Sequence, residues 1–174
     1  MAATFTVTFT GVTFGNNKSM AGLFNGAGSG RVLRVYRVWL LNNQTSAVTG
    51  VLTTFALRRT TAQSAGTSVT PVKHDTTSSN LPAQVLAAHG ATVTLSDTFR
   101  TWVWSNDEPS ASAGTSDEME CLVPLNTVWE SDPNSTSNVE PIVLREGQGI
   151  SIQHSGSSTV GVCDLFVEFT DAAS

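Results

Sequence analysis

Residues 141–171 read PIVLREGQGISIQHSGSSTVGVCDLFVEFTD, and the remaining strands have to find their partners around them. Residues 141–145 form a short apolar run. Glu146-Gly147-Gln148-Gly149 reads as a turn, because both glycines can take positive φ. Ile150 and Ile152 then alternate with Ser151 and Gln153, the period of a half-buried strand. Residues 154–158 read as a polar loop. From 159 to 170 the alternation resumes. Gly161, Cys163, Leu165, Val167 and Phe169 share a core face, while Val160, Val162, Asp164, Phe166 and Glu168 point the other way. A strand this long belongs inside a sheet, since as a free apolar edge it would recruit other chains.

Residues 4–10 alternate as cleanly, with Phe5, Val7 and Phe9 opposite a face of threonines. Gly15-Asn16-Asn17 breaks this strand, and residues 19–30, SMAGLFNGAGSG, read as a long glycine-rich loop. Residues 31–41, RVLRVYRVWLL, predict a strand with both faces partly buried and its arginines reaching outward along their stems. Residues 48–59 predict the next, with Val51, Thr53, Phe55 and Leu57 on one face. Residues 60–91 are the least patterned. Within them, 81–89 reads either as one short helix, capped by Asn80, opened by Pro82 and stopped by Gly90, or as an extended path through Pro82. Residues 92–104 are strand-like, with Phe99, Thr101 and Val103 opposite Arg100, Trp102 and Trp104. Met119, Cys121 and Val123 mark another strand, and 127–130 a short piece carrying Trp129. Residues 105–116 and 131–140 read as loops. Eight or nine strands with at most one short helix predict an all-β, two-sheet β-sandwich of jelly-roll type with long loops. It would be a single domain over 1–174, in which 1–30 supply a strand plus a glycine-rich docking loop and 31–171 the core sandwich.

Charged residues make up 13% of the chain, against about 25% in an average globular domain. Ser, Thr, Gly, Ala and Val take their place. Such a surface suits a protein that covers much of itself with copies or partners. The net charge of −5 and the nine Lys and Arg give no basic patch, so nucleic acid is not an expected partner. Residues 1–10 lack the basic start and apolar run of a signal peptide. No apolar run approaches the roughly 18 residues that would span a bilayer, so no membrane partner is expected either. The two cysteines, Cys121 and Cys163, have no CxxC spacing and read as buried thiols, with a single disulfide between them the other possibility.

The chemistry-bearing residues do not assemble into a catalytic signature. His74 precedes Asp75, but neighbours in an extended chain point apart. His89 and His154 are distant in sequence, and there is no HxH pair of the kind cupin enzymes use to hold a metal. A degenerate enzyme of that kind would have to draw on His74, His89 or His154. Asp107, Glu108, Asp117, Glu118 and Glu120 surround an acidic loop without EF-hand spacing. GxSxG, P-loop, GxGxxG and HExxH are all missing. No catalytic residue, cofactor or metal ligand is therefore assigned. Trp102 and Trp104 share one strand face and read as core or seam residues, or as a contact patch for sugar or protein. Arg100 lies on their face and is placed to pair with Asp107 and Glu108. Arg34 and Arg37 complete the expected subunit or partner contacts.

The segments TPVKHDTTSSNLPAQV, TWVWSNDEPSASAGTSDEMEC and PIVLREGQGISI…VGVCDLFVEFTD resemble a group of small structural proteins of tailed bacteriophages. These are head decoration (cement) or related virion proteins with a jelly-roll fold. The likeness covers roughly residues 31–171. It implies a non-enzymatic virion component, a homotrimer assembled in the host cytoplasm and carried on the capsid surface against the major capsid protein or other virion proteins. The competing expectation is a jelly-roll binding module, fibre-tip or lectin-like, that recognises glycan or a host surface through Trp102, Trp104 and the 105–116 loop.

Overall fold

The computed structural model describes residues 2–15, 17–43, 52–105, 126–131, 139–155 and 161–173. The described chain forms twelve strands and no helix: β1 (Ala3–Thr13), β2 (Ser19–Asn25), β3 (Arg31–Asn42), β4 (Leu52–Ser64), β5 (Thr67–Ser68), β6 (Val72–Lys73), β7 (Val85–His89), β8 (Thr92–Ser105), β9 (Asn126–Glu130), β10 (Ile142–Leu144), β11 (Gln148–His154) and β12 (Val162–Ala173). They build two six-stranded sheets. The first runs β10-β3-β12-β1-β6, with β9 also paired to β3. The second runs β5-β7-β2-β11-β4-β8. All pairings are antiparallel. The sheets face one another as a β-sandwich.

The alternation in β12 does what its pattern requires. Cys163, Leu165, Val167 and Phe169 are buried, and the strand lies between β1 and β3. In β1 the buried set is Phe5, Val7 and Phe9, and in β3 it is Leu33, Val35, Val38 and Leu40. Across the sandwich they meet Leu23, Phe55, Leu57, Ile150 and Ile152. Each large side chain taken out of water in this way contributes about 1.5–3 kcal/mol. Arg100 of β8 donates to the Val128 carbonyl of β9 at 3.1 Å and links the two sheets at one margin.

Several sequence expectations are corrected. Residues 19–25 are not loop. They form β2, buried along its whole length between β7 and β11. The amino-terminal 30 residues are thus part of both sheets rather than a strand with a docking loop. Of its two readings, short helix or extended path, the 81–89 segment takes the extended one. Val85–His89 is a strand whose Val85 and Ala87 point inward and whose Leu86 is exposed. The free edge of β2 captures it through four consecutive pairs. β4 continues beyond Arg59 to Ser64, into the stretch read as unpatterned. His154 is not in a loop but ends β11, fully buried.

The β11 strand is also more deeply placed than half-buried. Ser151, Gln153 and His154 on it are buried as well as Ile150 and Ile152. The cause lies in β4 and β8, whose pairing carries three register shifts between Leu57 and Ala62. Bulges bend a strand and increase its twist. The bent end of β4 carries Gln63 over Gly22 of β2, two strands away in the sheet. The outer face of the second sheet is thereby covered over β2 by its own chain, while Leu86 and Val103 on β7 and β8 stay exposed. The strand read around Met119, Cys121 and Val123, the loop bearing Asp107 and Glu108, and residues 48–51 lie outside the described residues.

Candidate functional site

The first sheet keeps one face in the core and turns the other outward. Strand alternation places Trp39, Leu41 and Arg37 of β3 on that outer face, beside Phe166, Asp164 and Glu168 of β12. Trp39 stands opposite Phe166, and Arg37 opposite Glu168. Thr4, Thr6 and Thr8 continue the rows on β1. Trp39, Leu41, Val162 and Phe166 on this face are half-buried. Among the described residues the close neighbours of β3 and β12 are chiefly their own sheet partners, β1, β9 and β10.

Arg37 is held by three neighbours. Its guanidinium lies 3.2 Å from Glu130 of β9 and 3.4 Å from Glu168, and 5.7 Å from the Trp39 ring centroid. With side chains 43% and 47% exposed, the Arg37–Glu130 pair contributes only about 0.2–1 kcal/mol. Its effect is to fix the orientation of Arg37 over the indole. Arg34 lies on the same face one step along, opposite Thr170 and Val143. The register shift opposite Glu168 and Phe169 thus brings Arg34 and Arg37, three residues apart, onto one surface.

The tryptophan pair lies elsewhere. Trp104 is 7% exposed and meets Phe55 edge-on, and Trp102 stacks on the same ring at 5.8 Å. Both belong to the packing between the sheets. Arg100 spends one nitrogen on the Val128 carbonyl. Asp107 and Glu108 lie outside the described residues, so their pairing with Arg100 does too.

A groove of about 520 Å³ opens at the opposite margin, where β6 and the 80–83 turn flank β7. Phe5, Val69, Pro71, Leu81 and Val85 line it, with Lys73 and Asn80 at the rim. The Lys73 ammonium donates to the carbonyls of Thr76 and Ser78, which ties it to its own loop. The groove was not read from the sequence, because its walls come from the short, unpatterned segments between β4 and β7.

The histidines are separated. His74 bonds the Thr6 hydroxyl at 2.7 Å. His89 titrates below the ordinary histidine range, chiefly through burial and then through the Lys18 charge. His154 is enclosed by Phe14 and Phe55. Among the described residues no three His, Cys, Asp or Glu side chains converge as a metal site. Asp75 accepts from the backbone and hydroxyl of Thr77, which hold its carboxyl below the usual range. Among the described residues no helix is long and apolar enough to cross a membrane.

No family model, curated protein or solved structure matches this chain.

Proposed function

We propose that this chain is a non-enzymatic structural component of a tailed-phage particle, decorating or cementing the capsid as a self-associating oligomer. The observation that carries the reading is the outer face of the first sheet. Trp39, Leu41, Val162 and Phe166 stand there half-buried, ordered by Arg37 and its acidic neighbours. Large aromatic side chains with an arginine among them are what protein interfaces enrich. The low charge of the whole chain fits the same use.

The strand order supports the jelly-roll form of the sandwich. β1 pairs with β12, β2 with β11, β3 with β10 and β4 with β8, a nested series from the chain ends inward. The resemblance to phage decoration proteins comes with that fold, with the capsid surface as location, and with a trimeric state. The lectin-like alternative depends on Trp102 and Trp104, which are turned toward Phe55.

The test is co-sedimentation of the purified protein with expanded tailed-phage shells stripped of decoration proteins, together with its mass by light scattering. Saturable binding at a fixed number of copies per shell is expected. A protein that stays monomeric at every concentration and leaves all shells bare would overturn the reading.

A further inference from the structure

The outer face of the first sheet is complementary to itself. In its two central rows a β3 residue stands beside a β12 residue of matching chemistry, Trp39 beside Phe166 and Arg37 beside Glu168, while the flanking rows set Leu41 beside Asp164 and Arg34 beside Thr170. We propose that this face packs against the same face of a second copy across a twofold axis running along the strands between β3 and β12. The proposal rests on the self-association reading above and names its seam.

A twofold axis in that direction keeps each residue in its row and exchanges β3 for β12. Trp39 of one copy then meets Phe166 of the other, and Arg37 meets Glu168. An axis across the strands does the opposite. Centred on the aromatic row, it sets Glu168 over Asp164. Centred on the charged row, it sets Arg37 over Arg37. Like charges brought together in an interface cost affinity, so one orientation is selected and the other penalised.

The size of the face is sufficient. From Arg34 to Leu41 the strand covers about 26 Å at roughly 3.3 Å per residue, and four strands with their side chains span about 20 Å. About 500 Å² per copy gives about 1,000 Å² in all, the lower bound for a specific interface. Stacked sheets cross at about −30°, so the rows align best near the axis, where the aromatic and charged pairs stand. β1 adds threonines to the margin, with no lysine to keep a second sheet away. On the second sheet the bent end of β4 brings Gln63 over Gly22, and the exposed Leu86 and Val103 stand apart on β7 and β8.

The mass of the full chain, followed by sedimentation equilibrium from low to high micromolar, tests the seam. The wild type is expected to hold an even number of chains rather than the three that the resemblance implies, and a trimer overturns this seam. Phe166→Glu is expected to halve that number while keeping the thermal unfolding transition, since Phe166 lies outside the core. Arg37→Glu is expected to raise the dissociation constant at least tenfold, and Arg37→Glu combined with Glu168→Arg to restore it. Should Phe166→Glu fail to fold, the charge pair alone carries the test. An oligomer whose mass neither Phe166→Glu nor Arg37→Glu changes overturns this seam and leaves self-association standing. A wild type that is monomeric throughout overturns both.

Discussion

The ring of Phe5 lies on the ring of Phe169, with centroids 5.5 Å apart and 17° between their planes. The two residues are direct partners in the β1–β12 ladder, and both are withdrawn from water. Replacing Phe169 by alanine removes the stack and leaves a cavity that the surrounding strands fill only in part. The loss is expected to be about 3–5 kcal/mol. Against a total stability of about 5–15 kcal/mol, this leaves the fold marginal. Denaturant midpoints of wild type and Phe169→Ala check it.

His154 ties three parts of the chain together. Its Nδ1 donates to the Gly15 carbonyl at 2.8 Å, which leaves Nε2 to accept from the Thr53 hydroxyl. Both partners lose their bond in His154→Ala. A buried polar group left unpaired costs about 1–3 kcal/mol, and the lost ring packing against Phe14 and Phe55 adds to that. Thr53→Val removes one of the two bonds and is expected to cost less than His154→Ala. Urea unfolding of both variants gives the ranking.

Glu146 supplies a pH dependence of known sign. Its carboxylate accepts from the backbone N–H of Gly28 at 3.1 Å and of Gly30 at 2.7 Å. These bonds favour the charged form and hold the folded carboxyl below its usual range. The unfolded chain therefore binds this proton first as the pH falls. The contribution to stability is complete above the unfolded carboxyl's titration and is lost as the pH drops through the folded one. Thermal midpoints of wild type and Glu146→Gln, measured between neutral and strongly acid pH, should converge toward the acid end. A gap that stays constant would remove Glu146 from the pH dependence.

Cys163 is buried within β12, and burial, with the nearby Asp164 charge, drives its thiol far above the ordinary range. In a Cys121→Ser background it is the sole thiol. It should resist alkylation in native buffer and react fully in denaturant, as read by intact mass. Native-state labelling would show that β12 opens locally.

What the sequence reveals depends on how many faces of a strand are buried. β1 and β12 have one face in the core and one outward, so their period of two is plain, whereas in β3 the register shift opposite Glu168 and Phe169 turns both Arg34 and Arg37 outward, which strict alternation would set on opposite faces. β2 and β11 are covered on both sides. Their outer residues are small or polar and closely packed, so Ser19 and Gly22 imitate a loop, and Ser151 and Gln153 imitate the solvent face of a half-buried strand. Gly149 shows the same effect. It reads as a turn glycine beside Gly147, and Gly147 does take φ 76°. Gly149 instead lies within β11, where a Cβ would approach the Leu23 carbonyl oxygen at 2.6 Å. Of the two readings of 81–89 the extended one matches the strand Val85–His89, because capping residues describe local preference, whereas the open edge of β2 offers backbone partners that a short helix would forgo. The tryptophan pair on β8 was placed on one face correctly, but a single strand does not reveal whether that face turns inward.

The nested pairing has a consequence for the birth of the molecule. β1 is made first, yet its long-range partner β12 begins about 150 residues later, at Val162. At roughly 5–20 residues per second, the ribosome needs on the order of ten to thirty seconds to deliver it. During that interval Phe5, Val7 and Phe9 have no native neighbour strand to cover them on the β12 side. The chain must therefore keep a sticky strand out of trouble until β12 has been made, by chaperone cover or by translation at high speed. Codon changes that slow the ribosome late in the message should lower soluble yield without altering a single amino acid.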